Sequence, residues 1–304
     1  MRDETVALNK SISDTLQVTT LLQSIPEVQG DPSNFYSIHE RIVAAESCWF
    51  AAKLLNETKA KFTKLLPESY VVVCNTYIAQ YQSIASQLQG MIYRTMSPQL
   101  ITQSTLVPLI IDSPGWDSKK PREQPHDWVD LLVFNCRHVW EYLLSQQDSA
   151  ETSELVREQL WIELCQSAFD TVIEAYSKLR KTTTQGRALM SLNVSALHNA
   201  LDAIHSCRPP RGKHHIDNYI RAFYMSETDM LQWINENWMA YCYRHIHGLL
   251  TQTMSSLVLN KKFKDAVAML DTLYDYADDK PSSTLFNMRF NVMGSSSSNS
   301  SGDN

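Results

Sequence analysis

Four acidic side chains near the end of the chain, Asp271, Asp275, Asp278 and Asp279, offer the first chemistry to weigh. Aspartates on helices hold divalent metal in all-helical isoprenoid enzymes, but these depart from the D-D-x-x-D spacing of such sites, and a solvated face is the simpler reading. His245 and His247 stand two apart, which sets them on different faces of a helix, and no second Cys/His pair lies at ligand spacing. A zinc site is not expected. The sequence also carries no Gly-rich phosphate loop, no G-x-S-x-G and no H-E-x-x-H. No catalytic, cofactor-binding or metal-binding residue is assigned, and a metal-dependent helical enzyme stands as the alternative of a different class.

Recognition chemistry remains. Arg187 could offer its planar five-donor fork to a partner carboxylate, or it could make an internal ion pair while Gly186 permits a close helix approach. Arg208, Arg211 and Lys213, followed by His214 and His215, form a basic loop, and Arg221 lies one motif further on. With Lys261, Lys262 and Lys264 such a patch could touch anionic lipid at about 1 kcal/mol per basic residue, although short basic patches are ordinarily just solvated. Arg187, Arg208, Arg211, Lys213 and Arg221 are the candidate partner contacts. The aromatic run Tyr219, Phe223, Tyr224, Trp233, Trp238 and Tyr241 could mark an interface hot spot, but its helical spacing favours core packing.

The elements that must position these groups are helices. Only 8 glycines and 11 prolines in 304 residues argue for long ones. Apolar residues recur at helical spacing nearly everywhere, with no sustained period-two alternation, so the fold class is all-α, and one elongated unit or two tightly packed sub-bundles both fit. A net charge of -6 gives no electrostatic drive toward nucleic acid. Six cysteines lie tens of residues apart (Cys48, Cys74, Cys136, Cys165, Cys207, Cys242), mostly inside apolar helical patterns, which suits a reducing cytoplasmic setting. The start, Met1-Arg2-Asp3-Glu4, leads into an amphipathic segment, and no run approaches the ~18 apolar residues of a membrane span.

The periodicity predicts helices over 4–25, 35–66 and 68–95, which make residues 1–96 an N-terminal sub-bundle. A proline-rich connection follows at 97–126, holding a short apolar run, Leu106 to Ile111, too brief to classify. A C-terminal bundle covers 127–280, with a helix resuming at Asp127 and the most regular one at 154–180. Asn193 is placed to cap a short helix carrying Val194, Leu197, Leu201 and Ile204. His205 to Lys213 reads as a loop. Ser226 and Asp229 approximate a capping box before a long helix through Tyr241, and a last helix runs over 262–276. The Ser/Asn-rich tail, 281–304, lacks pattern and is expected to be disordered.

Two dense strings stand out, Gly186-Arg187-Ala188-Leu189-Met190 and Tyr219-Ile220-Arg221-Ala222-Phe223-Tyr224-Met225, the second continuing to Asp229-Met230 and Trp233-Ile234. With Glu40-Arg41-Ile42-Val43-Ala44-Ala45-Glu46-Ser47 and Leu160-Trp161-Ile162-Glu163, they make the chain similar to the syndetin C-terminal domain family. The resemblance implies an elongated stack of antiparallel helical bundles, and a non-enzymatic subunit of a multisubunit tether that acts in endocytic recycling beside subunits shared with the Golgi-associated retrograde tether. It implies contacts with other tether subunits, SNARE proteins and small GTPases, and a cytoplasmic protein peripheral on recycling endosomes and the trans-Golgi network. Full-length members of the family carry a long N-terminal coiled-coil region. A subunit of another helical-rod tether, such as the exocyst, is the alternative within the same architecture.

Overall fold

A computed structural model describes residues 38–145, 154–206, 211–254 and 261–278, and the described residues up to Leu270 form one compact unit. Ten helices lie among them: α1 (Ile38–Leu65), α2 (Glu68–Leu100), α3 (Gln103–Asp112), α4 (Asp127–Ser145), α5 (Glu154–Ser177), α6 (Thr184–Ile204), α7 (Arg211–Ala222), α8 (Glu227–Asn237), α9 (Tyr243–Met254) and α10 (Lys261–Asp278). Among the described residues there is no strand. The all-α expectation holds. The helix read over 4–25 and the tail at 281–304 lie outside the described residues.

α5 is the axis of the unit and packs against α2, α3, α4, α7 and α9. Its sequence explains this role, since Leu160, Trp161, Leu164, Ala168, Phe169, Val172, Ile173 and Tyr176 are all buried and spread around most of the helix circumference. A helix apolar on so many sides must lie inside. α4 presents a narrower stripe to this axis through Trp128, Leu132, Cys136, Val139, Trp140 and Leu143. Trp140 meets Trp161 at 5.2 Å between ring centroids.

α1 and α2 fold back on each other across Leu66 and Pro67, and this is the most extensive helix pairing in the unit. Near its base Glu46 Oε1 accepts hydrogen bonds from Gln89 Nε2 and the Tyr93 hydroxyl. The buried residues of α1 are Ile38, Ile42, Ala45 and Ala52, and those of α2 begin at Ile78. Between Ala52 and Ile78 no residue is buried. The distal half of the hairpin is therefore an arm whose two helices, among the described residues, bury nothing against the rest of the unit.

α2 extends to Leu100, beyond the 95 read from periodicity, because Tyr93, Met96 and Ser97 stay buried through Pro98. A sharp corner follows at Thr102, whose φ of 57° is unusual for a β-branched residue. Asn135 of α4 secures it, its Nδ2 donating to the Ile101 carbonyl at 3.1 Å and to Thr102 Oγ1 at 2.9 Å. The unclassified run at Leu106 to Ile111 then resolves as α3, with Leu106, Val107 and Ile110 buried.

Three local readings are corrected. α6 runs unbroken from Thr184 through Asn193, and its cap is Thr183, whose Oγ1 accepts from the Gly186 amide at 3.1 Å. Asn193 is fully buried and does different work, accepting from the His126 amide at 2.9 Å and lying 3.0 Å from His126 Nδ1, so it ties the entry of α4 to α6. The expected loop at 205–213 ends earlier, since α7 already begins at Arg211. The long helix expected after the capping box is two helices. Ser226 does cap α8 through the Asp229 amide, but the chain breaks between Trp238 and Cys242, where Tyr241 turns inward to donate to the His215 carbonyl at 2.7 Å.

Candidate functional site: an exposed helical arm and a Glu-His-Cys cluster

Surface chemistry concentrates on the arm and on the stretch of α1 that leads into it. Along α1, Val43, Phe50, Leu54 and Leu65 fall on one stripe at steps of seven, four and eleven, and all are exposed, Phe50 at 62% and Leu65 at 84%. On α2, Tyr70, Val73 and Tyr77 step by three and four and are likewise exposed. Single exposed apolar residues need no explanation, but aligned ones on a two-helix element are a surface made for covering. No helix among the described residues is long and apolar enough to cross a membrane.

The residues singled out from sequence are dispersed. Arg187 is half-buried and turned inward, its Nη1 donating to the Phe223 carbonyl at 2.6 Å beside the end of α7, with its guanidinium 5.7 Å from the Phe223 ring and 5.8 Å from that of Tyr224. It caps a helix C-terminus instead of making an ion pair. Gly186 is buried, and a Cβ added there would overlap the Trp116 carbonyl. Lys213 pairs with Asp217 at 3.5 Å, one turn along α7. Arg221 is exposed in the last turn of α7. Arg211 opens that helix with its side chain outside the described residues, and Arg208 lies outside them altogether. Of the late aspartates, Asp271 and Asp275 are exposed, while the Asp278 side chain and Asp279 are not described.

The aromatic run is core. Tyr219, Phe223, Trp233 and Tyr241 are buried in one cluster, with Tyr219 and Tyr241 at 5.5 Å and Trp233 and Tyr241 at 5.3 Å, whereas Tyr224 is 53% exposed. Asn218 satisfies the polar edges, accepting from the Trp233 indole at 3.2 Å and donating to Asn237 at 2.8 Å.

One cluster was not foreseen. Glu174 of α5 meets Cys242 and His245 at the start of α9, with one donor atom from each lying within 4.8 Å of the others. Gly248 makes the meeting possible, since a Cβ there would overlap the Ser177 carbonyl, so α9 can lie directly on the end of α5. His245 Nε2 is 2.7 Å from Glu174 Oε2, and the Cys242 sulfur lies within 4.8 Å of a ring nitrogen of the same imidazole. The Tyr219 hydroxyl donates to the His245 carbonyl at 2.9 Å and fixes the backbone beneath the ring.

Electrostatics follow from these bonds. The hydrogen bond to His245, with further help from Lys178, holds the Glu174 carboxyl down at about 2, against its burial. Burial alone would lower His245, yet its bonds to Cys242 and Glu174 raise it to about 9. Burial alone would raise Cys242, but the imidazole more than offsets this and leaves the thiol below its ordinary value. Three donors at this spacing meet the distance condition for a metal ion, but Lys178 at 2.8 Å and Arg244 at 4.0 Å from Glu174 Oε1 already bring the positive charge a cation would supply. The arrangement is a hydrogen-bonded relay. Its sequence trace is slight: Cys242 and His245 stand three apart on one helix turn, and nothing local points to Glu174.

Architecture and surface together define an all-helical bundle with a projecting two-helix arm. Residues 35–271 match the family described as Syndetin, C-terminal, and the chain belongs to that family. It is 25% identical to syndetin of Gallus gallus over 241 residues, which is 79% of this chain and 25% of that protein. It is 26% identical to syndetin of Mus musculus over 238 residues, 78% of this chain and 24% of that protein. The chain thus spans about a quarter of the length of these relatives.

Proposed function

We propose that the chain is the C-terminal domain of a tethering-complex subunit in endocytic recycling, working through protein contacts and not through catalysis. Membership of the syndetin family supports the role, and one structural observation carries the mode: the aligned apolar residues of the arm lack a covering element among the described residues. The occupant that fits is an amphipathic helix of a neighbouring tether subunit or a SNARE, laid into the apolar stripe with anchors at i, i+3, i+4 and i+7. Such a helix would extend the two-helix arm into a three-helix or four-helix bundle. The site of action is the cytoplasmic face of recycling endosomes and the trans-Golgi network, reached as a peripheral protein. Arg221, with Arg208, Arg211 and Lys213, is the polar edge available to SNAREs or small GTPases, while Arg187 is committed inward.

Affinity purification of the full chain carrying Phe50→Glu and Leu54→Glu tests the mode. The unsubstituted chain is expected to recover the recycling-tether subunits, and the doubly substituted chain to lose them while keeping its helical content. Recovery of exocyst components in place of recycling-tether subunits would overturn the assignment, and equal recovery by both chains would remove the arm from it.

A further inference from the structure

The Glu174-His245-Cys242 cluster has no part in a docking surface on the arm, yet it has the composition of an activated nucleophile: a thiol, an imidazole nitrogen within 4.8 Å of it, and a carboxylate that orients the imidazole. Cys242 also immediately precedes α9, where the free amides and dipole of a helix N-terminus favour negative charge. It is half-buried, whereas Cys136 is fully buried. We infer that Cys242 is a modification site for small electrophiles, peroxide foremost, with His245 held by Glu174 as the group that sustains the thiolate and supplies the proton.

The groups around it act in both directions, with burial and the Glu174 carboxylate raising the thiol and His245 lowering it by more. From α5 come Glu174 and Lys178, with Asp170 one turn before and felt by His245; from α7 come Tyr219 and His215, the latter pushed down to about 4 by burial and then by the charges of its histidine neighbours; from α9 come Arg244 and His245. His215 stays neutral at physiological pH, so the imidazolium beside the sulfur is His245. In the reaction the thiolate sulfur attacks one oxygen of hydrogen peroxide, an S–O bond forms and the O–O bond breaks. The departing hydroxide takes the His245 proton and leaves as water. Sulfur is oxidised by two electrons to a sulfenic acid and peroxide is reduced, so the step balances without a further reagent.

The test is a comparison of all cysteines in the full chain. Purified protein is treated with hydrogen peroxide and a sulfenic-acid trap, and separately with iodoacetamide across a pH series, and each cysteine peptide is quantified by mass spectrometry. Cys242 is expected to react faster at pH 7 than half-buried Cys48 and Cys74, on the order of tenfold, as a thiol beside an imidazolium does. His245→Gln should remove that advantage and move the pH profile to that of an ordinary thiol. Glu174→Gln, which keeps the side-chain shape, should slow the reaction partway and provides the same comparison if His245→Gln does not fold. Reaction no faster than at Cys48 and Cys74 would overturn the inference, as would a pH profile that neither substitution moves. Stoichiometric zinc binding that blocks alkylation and is abolished by Cys242→Ser would also overturn it, in favour of a metal centre.

Discussion

At the scale of single residues, the bundle is held at points where one atom more or less cannot be absorbed. An alanine Cβ at position 186 would overlap the backbone carbonyl of Trp116, which cannot swing aside as a side chain could. Gly186→Ala is therefore expected to cost about 3 kcal/mol, read as a lowered urea midpoint at unchanged slope. Asn193→Ala strands the buried His126 amide and should cost about 2 kcal/mol by the same measurement. The Glu174-His245 pair gives a pH signature whose sign is fixed by its two shifts. Glu174, at about 2 against an ordinary 4.5, contributes fully above pH 4.5 and loses its contribution as pH falls toward 2. His245, at about 9 against an ordinary 6.5, contributes fully below pH 6.5 and loses its contribution as pH rises through 9. Thermal midpoints should thus be highest between these limits, and Glu174→Gln should flatten the curve on both flanks. A Glu174→Gln curve that parallels the unsubstituted one would show that other groups set the pH dependence.

At the scale of elements, legibility from sequence followed the width of the apolar stripe. α4 and α5 could be read nearly to their ends because residues such as Trp161, Leu164, Ala168, Val172 and Tyr176 step by three and four without interruption. Asn193 was misread because a polar residue within an apolar pattern resembles a cap, and only the presence of His126 from another element reveals its partner. The break between α8 and α9 was missed for a related reason. Its apolar residues keep helical spacing, and the chain turns because Tyr241 has a distant carbonyl to reach. The cluster at Cys242 was illegible because Gly248, and not any ligand-type motif, lets α9 approach Glu174. Burial also orders the elements dynamically. Amide hydrogen exchange should be fastest, among the described helices, over the distal arm and slowest in α5, because local opening of the arm exposes little apolar surface that is not exposed already. Comparable protection of the two would mean that a covering segment stabilises the arm.

At the scale of the whole molecule, the net charge of -6 and the dispersed basic residues leave apolar contact as the main source of affinity for partners. Binding to tether subunits should accordingly weaken by less than about threefold between 50 and 300 mM salt, since screening acts on exposed charges and not on apolar burial. A steep loss with salt would move the contact to the basic residues of α7, Lys213 and Arg221. The arm has a mechanical side as well. From Ala52 to its tip it rises about 20 Å at the helical rise of 1.5 Å per residue, so a partner gripping the tip pulls through a lever. Its fulcrum is the Glu46-Gln89-Tyr93 knot, with Asn135 bracing the corner at Thr102 behind it. Tension applied at the end of the arm would reach the bundle as torque on these few hydrogen bonds before it strained the packed core around α5.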